Sequence, residues 1–111
     1  MRIVLIGDVL AMARALMVEN AEIQPRLCQK WCAEAEAADK YRKKFAREHP
    51  MWGNGSLMAR ARLLTPPSIM RASVDNPAYC QALTVVLRGL ADWRHIKRRR
   101  SGRNSNSGYR R

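Results

Sequence analysis

The residues best suited to chemistry in this sequence are its three cysteines. Cys28 and Cys32 are four positions apart, which would place both sulfur atoms on one side of a helix. With His49, His95 or Cys80 they could form a zinc site, but a helical C-x-x-x-C pair is a poor match to the usual structural zinc spacings. An odd number of cysteines also argues against a disulfide framework. We therefore expect buried, reduced thiols and no metal site.

Two other positions have the residue type of a catalytic group without its surroundings. His49 precedes Pro50 at a predicted helix end, where a histidine often caps backbone carbonyls. Ser56 follows a glycine turn, but the glycine that comes after the serine in a nucleophile elbow is missing. Neither a lysine nor a second hydroxyl completes a phosphate-binding loop there. We expect no catalytic residues, no cofactor and no enzymatic activity.

The basic C-terminal segment carries the strongest functional signal. Residues 94–111 contain eight Lys or Arg and no acid, a net charge of +8, whereas residues 1–93 carry thirteen basic and nine acidic residues, a net charge of +4. Such asymmetry favours an acidic partner, above all a nucleic acid whose phosphates the cations would neutralise. No base-reading element is evident, so binding should be largely independent of sequence. The predicted binding residues are Arg94, Lys97, Arg98, Arg99, Arg100, Arg103, Arg110 and Arg111.

Three alternatives to nucleic-acid binding stay open. The protein could be an interaction adaptor that docks a partner through the loop of Trp52 and Asn54, with the tail steering an acidic protein surface. The tail could instead act only as a solubilising segment. A membrane surface fits less well, because the cations cluster at the end of the last helix and do not flank an apolar face.

The last helix is the element that must position the basic segment. Asn76 and Pro77 form a helix start, since an Asx cap satisfies free amides and proline suits the first helical position. After the cap, apolar residues recur at intervals of three and four, which predicts one buried stripe. This stripe is Tyr79, Leu83, Val86, Leu90 and Trp93, and we expect Trp31, Leu83, Leu87 and Leu90 to be buried together.

Three earlier helices are predicted from caps, prolines and apolar spacing. Asp8 is expected to cap the first, and Pro50 to end the second near His49. Residues 3–6 are expected to form an extended apolar arm. The predicted ranges are 9–19, 25–48 and, after a Ser56 cap, 57–64.

The predicted buried faces of the first two helices follow the helical period. Glu36–Lys40 and Asp39–Lys43 are favourable i,i+4 pairs, so their face should be solvated. The expected buried residues are Val9, Met12, Ala13 and Leu16, then Leu27, Trp31, Ala35, Ala38 and Phe45.

These elements predict an all-α protein, a compact bundle of about four helices with a disordered basic C-terminal tail. The chain has 111 residues, enough for one small domain over 1–96 followed by a flexible tail over 97–111. Its loops are short enough for antiparallel helix neighbours. No apolar run is long enough for a membrane span, and we expect a cytoplasmic protein. The oligomeric state is left open.

Several short motifs together resemble one family. They are Arg2, Val4-Leu5 and Gly7-Asp8, the 33–39 segment Ala-Glu-Ala-Glu-Ala-Ala-Asp, Trp52-Gly53-x-Gly55-Ser56-Leu57-Met58, and Asp75-x-Pro77-x-Tyr79. Over residues 1–92 the chain resembles small all-helical proteins of unknown function encoded in alphaproteobacterial genomes. The resemblance implies an all-helical fold and no particular activity. The Arg-rich tail departs from the family pattern.

Overall fold

Four α-helices make up the computed structural model of the protein, which confirms the predicted all-α bundle. The structure describes residues 1–69 and 73–109, with the backbone alone for Ser68 and for 98–109. A short 3₁₀ turn, Pro67–Ile69, follows the third helix. No β-strand occurs in the described ranges. The helices are α1 (Ile6–Leu16), α2 (Gln24–Phe45), α3 (Leu57–Arg62) and α4 (Pro77–Tyr109).

The start of α1 differs from the prediction. The helix begins at Ile6, so Asp8 lies in its first turn and is not the N-cap. Its carboxylate instead accepts hydrogen bonds from the backbone N–H of Leu5, at 2.8 Å, and of Met58, also at 2.8 Å. Because a carboxylate in the first turn satisfies a free amide as well as a capping side chain does, the helix can start before its acid. Residues 1–5 have no regular secondary structure, and Leu5 is extended, so the predicted arm over 3–6 loses Ile6 to the helix.

The end of α2 also comes earlier than predicted. Its last residue is Phe45, and Ala46 then adopts the left-handed conformation, with φ of 58°. The reversal lets His49 and Gly53 exchange two backbone hydrogen bonds, of 2.9 and 3.2 Å. Pro50 thus lies inside a turn that has already left the helix. The predicted first-turn position of Pro25 is confirmed.

The N-terminal part of α4 follows the sequence pattern closely. Asn76 Oδ1 accepts from the N–H of Ala78 at 2.9 Å, as an Asx cap should. Tyr79, Val86, Leu90 and Trp93 are buried, and Leu83 is half-buried. The predicted burial of Leu87 is wrong, because its side chain is 57% exposed; at 100° per residue it lies beside the stripe.

The C-terminal part of α4 is longer than the pattern indicated. The backbone is helical through Tyr109. The boundary between a domain over 1–96 and a flexible tail over 97–111 stays a prediction. Within the described part of the chain, no helix is long and apolar enough to cross a membrane.

The core lies between α1, α2 and α4, with α3 closing one side. Cys28, Trp31, Cys32, Ala35 and Ala38 are buried on the inner face of α2, as predicted. Phe45 is not part of this face; its side chain is 49% exposed, because α2 extends past the core at that end. The residues buried from α1 include Val9, Met12, Ala13 and Leu16.

The direction of α2 and α4 agrees with the predicted antiparallel neighbours, since the second and fourth helices of an alternating bundle run parallel. Gln29 Nε2 donates to the carbonyl of Gly89 at 2.8 Å, and about two helical turns later Glu36 pairs with Lys97. Both partners are offset by about the same number of residues, so α2 and α4 run parallel and not antiparallel. The N-terminus of α4 therefore lies toward the end of the bundle where α2 starts.

Candidate nucleic-acid interface

Two of the predicted phosphate-binding residues lie where α4 leaves the core. Arg94 and Lys97 are exposed and directly follow the buried Trp93. Together with residues 1–4 and Glu36 they line an open cleft of about 350 Å³. The N-terminal arm thus forms one wall of the surface from which the basic segment extends.

Lys97 is not a free cation, because it forms an ion pair with Glu36. The N-terminal ammonium of Met1 lies 3.1 Å from the same carboxylate oxygen. Burial raises the pKa of Glu36, but the hydrogen bonds from Lys97 and Met1 outweigh it and hold that pKa below its usual range. The predicted Glu36–Lys40 pair is wrong, since Glu36 turns toward α4 and the N-terminal arm.

Asp39 is buried, although its helix face was predicted to be solvated. The predicted pair with Lys43 forms at 3.2 Å, and Arg42 contacts the other carboxylate oxygen at 2.8 Å. Burial raises the pKa of Asp39, but these hydrogen bonds outweigh it and lower the pKa below the usual value. Neither Glu36 nor Asp39 therefore opposes the basic segment with an unpaired charge.

The remaining predicted binding residues all follow Lys97 in the sequence. The backbone of α4 is helical from Pro77 through Tyr109 and carries four of them. Arg110 and Arg111 fall beyond the described residues. The side chains of this group lie outside the described residues: Arg98, Arg99, Arg100, Arg103, Arg110 and Arg111.

Contacts of its own side chains hold the predicted docking loop in its conformation. Trp52 stacks on His49 with ring centroids 4.6 Å apart, and His49 Nδ1 accepts from the N–H groups of Met51 and Trp52. Asn54 Oδ1 accepts from the N–H of Ser56 at 3.0 Å. Both predicted docking residues, Trp52 and Asn54, are half-buried and shape the loop. His49 accepts from N–H groups here, so its predicted role as a cap of helix carbonyls is wrong.

Gly55 fastens this loop to α2. Its φ of 99° confirms the predicted positive-φ turn. A Cβ atom at this position would lie 2.6 Å from Asp39 Cβ and 2.7 Å from Asp39 Cα. Only glycine allows this approach. Ser56 then caps α3 as predicted, accepting from the N–H of Ala59 at 3.0 Å.

A second basic surface at the end of α2 was missed in the sequence. Lys40, Lys44 and Arg47 are exposed there, beside the half-exposed Phe45 and the half-buried Tyr41. The signal was present as the 40–47 segment Lys-Tyr-Arg-Lys-Lys-Phe-Ala-Arg, which has five cations, two aromatic residues and no acid. Phe45 in this segment was predicted as a core residue because it fits the apolar period of α2.

The three cysteines are free thiols in different surroundings. Cys28 and Cys32 are buried free thiols, as predicted, whereas Cys80 is exposed. A hydrogen bond to Cys28 and burial raise the pKa of the Cys32 thiol far above its usual range. Among the described residues, no three His, Cys, Asp or Glu side chains are grouped as a metal site would need.

One comparison with known proteins identifies the chain. The profile of the family described as "Domain of unknown function (DUF7742)" matches residues 2–90. The chain belongs to this family. The matched region includes α1, α2 and α3 and ends four residues before Arg94, so the predicted binding residues lie outside it. Searches of curated proteins and of solved structures gave no match.

Proposed function

We propose that this protein is a non-enzymatic, nucleic-acid-associated accessory protein that binds the phosphate backbone through its Arg-rich C-terminus. The observation that carries the proposal is the net charge of +8 over residues 94–111, on the continuation of a helix that begins in the core. Neutralising phosphates with these cations would release counterions, which favours binding to any sequence. No cofactor is required.

The charge distribution of the body supports this proposal. Asp39, Glu34 and Glu36 are all paired with cations inside the fold, and Asp8 is buried against backbone N–H groups. Four of the nine acids therefore do not face an approaching phosphate as free charges.

A matched pair of triple variants tests the proposal. In one, Arg98, Arg99 and Arg100 become glutamine; in the control, the exposed residues Arg26, Lys30 and Arg88 become glutamine. Both variants lose three positive charges, so any difference in binding reports where the charges lie. The measurement is a titration of labelled DNA and RNA at several salt concentrations.

The expected result is a steep salt dependence that the tail variant reduces. Engaging four to six cations gives a slope of log K against log salt on the order of −4 to −5 on duplex DNA. Replacing three tail arginines should bring that slope closer to zero by about 2 to 3, and the control variant should change it by less than 1. Equal slopes for the two variants, or no binding by the natural sequence at low salt, would contradict the proposal.

A second candidate function, a protein-interaction adaptor, is favoured by a different surface. Ile3, Leu5 and Ile6 are each more than 60% exposed and line an open cleft of about 490 Å³ that includes Met58. Exposed apolar groups of this kind can mark a partner site. Under this alternative the purified protein carries no nucleic acid, and it retains one partner at high salt that an Ile6→Ser variant loses.

The setting of the protein is part of the same proposal. We infer a cytoplasmic bacterial protein, from an alphaproteobacterial source, because reduced thiols fit a reducing compartment and the sequence motifs resemble proteins from that group. The expected acidic partner is a nucleic acid or, for the adaptor, an acidic protein.

A further inference from the structure

We propose that the end of α2 is a second nucleic-acid contact surface, which binds unpaired bases of single-stranded nucleic acid. This surface, the α2-end patch, comprises Lys40, Tyr41, Lys44, Phe45 and Arg47. The inference rests on the proposed function and deepens it by naming the class of partner, a single strand and not a duplex.

The aromatic part of the α2-end patch is a connected row of rings with one exposed end. Phe45 contacts Tyr41 with ring centroids 4.6 Å apart, and Tyr41 contacts His49 at 4.9 Å. His49 in turn stacks on Trp52. The row is fixed at the Trp52 end by the half-buried loop, while Phe45 at the other end has half of its surface in solvent. A fixed, exposed ring is a platform on which a base can stack with little loss of side-chain entropy.

One cation of the α2-end patch, Lys44, lies close to that exposed ring. Lys44 Nζ lies 5.4 Å from the centroid of Phe45, and Lys40 and Arg47 are exposed on either side of it in the sequence. In contrast, Arg42 and Lys43 are paired with Asp39, so they stabilise the fold. The patch thus combines cations for the backbone with an aromatic face for a base, as single-strand-binding surfaces do.

The parallel packing of α2 and α4 places the α2-end patch at the same end of the molecule as the basic segment. Glu36 of α2 contacts Lys97 of α4, and both helices continue from there in the same direction. Nine residues after Glu36, about 14 Å further along the axis, lies Phe45, and the α4 backbone beyond Lys97 advances at the same rate. Nine residues are two and a half turns, so Phe45 lies on the side of α2 away from Glu36, and a strand bound to the Arg-rich segment would cross the end of α2 to reach it. An antiparallel pair of helices would have put the two basic regions at opposite ends.

The physical reason for a single strand is the accessibility of base faces. In a duplex the bases are stacked on each other and their faces are closed to a protein ring, whereas unpaired bases can stack on an aromatic side chain. The Arg-rich segment alone would bind duplex and single strand through phosphates. The α2-end patch should add affinity for the single strand only.

The test compares Phe45→Leu with a matched exposed apolar change, Leu87→Ala on α4. Both side chains are about half exposed, and Phe45→Leu removes the ring while keeping an apolar side chain. The probes are a labelled dT₁₅ or U₁₅ oligonucleotide and a 15-base-pair duplex, at one low salt concentration. Circular dichroism checks that each variant remains helical.

We expect Phe45→Leu to weaken single-strand binding by about fivefold or more, the effect of losing one base–aromatic stack. Duplex affinity should change by less than twofold, and Leu87→Ala should leave both unchanged. Lys44→Gln should weaken single-strand binding more than Lys30→Gln, an exposed position on the same helix away from the rings.

The failing outcomes of the proposed function and of this inference are distinguishable. If the natural protein binds neither probe, the result contradicts both the proposed function and this inference. If the natural protein binds both probes and Phe45→Leu binds them equally well, the inference about the α2-end patch is wrong. The Arg-rich segment alone would then be the interface.

Discussion

At the scale of single residues, the contact between Gly89 and Cys28 sets how closely α4 approaches α2. A Cβ atom on Gly89 would lie 2.6 Å from Cys28 Sγ, which is too short for a real contact. Alanine favours helix by ~1 kcal/mol over glycine, but overpacking a core costs ~1–3 kcal/mol. We expect Gly89→Ala to lower the free energy of unfolding by about 1 kcal/mol, measured by urea denaturation.

The control for this prediction is a double-mutant cycle with Cys28→Ala. Removing the sulfur should relieve the clash, so the double variant should be more stable than the two single effects added together. A Gly89→Ala protein more stable than the natural one would show that the helices do not approach as closely as described.

The paired carboxylate of Asp39 predicts a particular pH dependence. Its pKa is lowered in the folded protein, so it adds stability above the unfolded-state pKa of about 4, and this contribution disappears as pH falls through the folded value. Asp39→Asn should therefore be less stable than the natural protein at pH 7, with the difference narrowing below pH 4. Urea denaturation at pH 7, 5, 4 and 3 measures this. A difference that stays constant over that range would contradict the ion-pair account.

At the scale of elements, Asp8 joins the start of α1 to the start of α3. Its buried carboxylate accepts from Leu5 and from Met58, fifty residues away. Asp8→Ala leaves two N–H groups without that acceptor, and we expect a loss of ~1–3 kcal/mol. Asp75→Ala, an exposed acid outside any helix, is the control. If both substitutions cost the same, measured by denaturation, the Asp8 contacts do not stabilise the junction.

Caps and apolar spacing predicted the helices well, because the groups that interact there are close in sequence. Ser56 caps α3 and Asn76 caps α4 through amides two or three residues away, and the apolar period of α4 located four buried residues. The start of α1 was predicted too late, because the Asp8 carboxylate also accepts from the N–H of Met58, which is distant in sequence. The pairing of Glu36 was missed for the same kind of reason, as its partners are Met1 and Lys97.

At the scale of the whole molecule, the alternation of antiparallel neighbours that the short loops predicted leaves α2 and α4 parallel, as the structure has them. The parallel packing of α2 and α4 decides where the charges meet, because it directs the 40–47 segment and the basic end of α4 the same way. The predicted binding residues named only the α4 half of this surface.

The truncation of the chain after Lys97 tests the central claim most directly. Ending the chain there keeps the Lys97–Glu36 ion pair and the buried Trp93, and it removes six of the eight predicted binding residues. Binding of labelled DNA and RNA is titrated with both proteins, and circular dichroism checks the helices of the body. The account predicts that the truncated protein stays folded, with its residual affinity lower by tenfold or more and a salt slope closer to zero by about 4 to 5. Equal binding by the two proteins would contradict it.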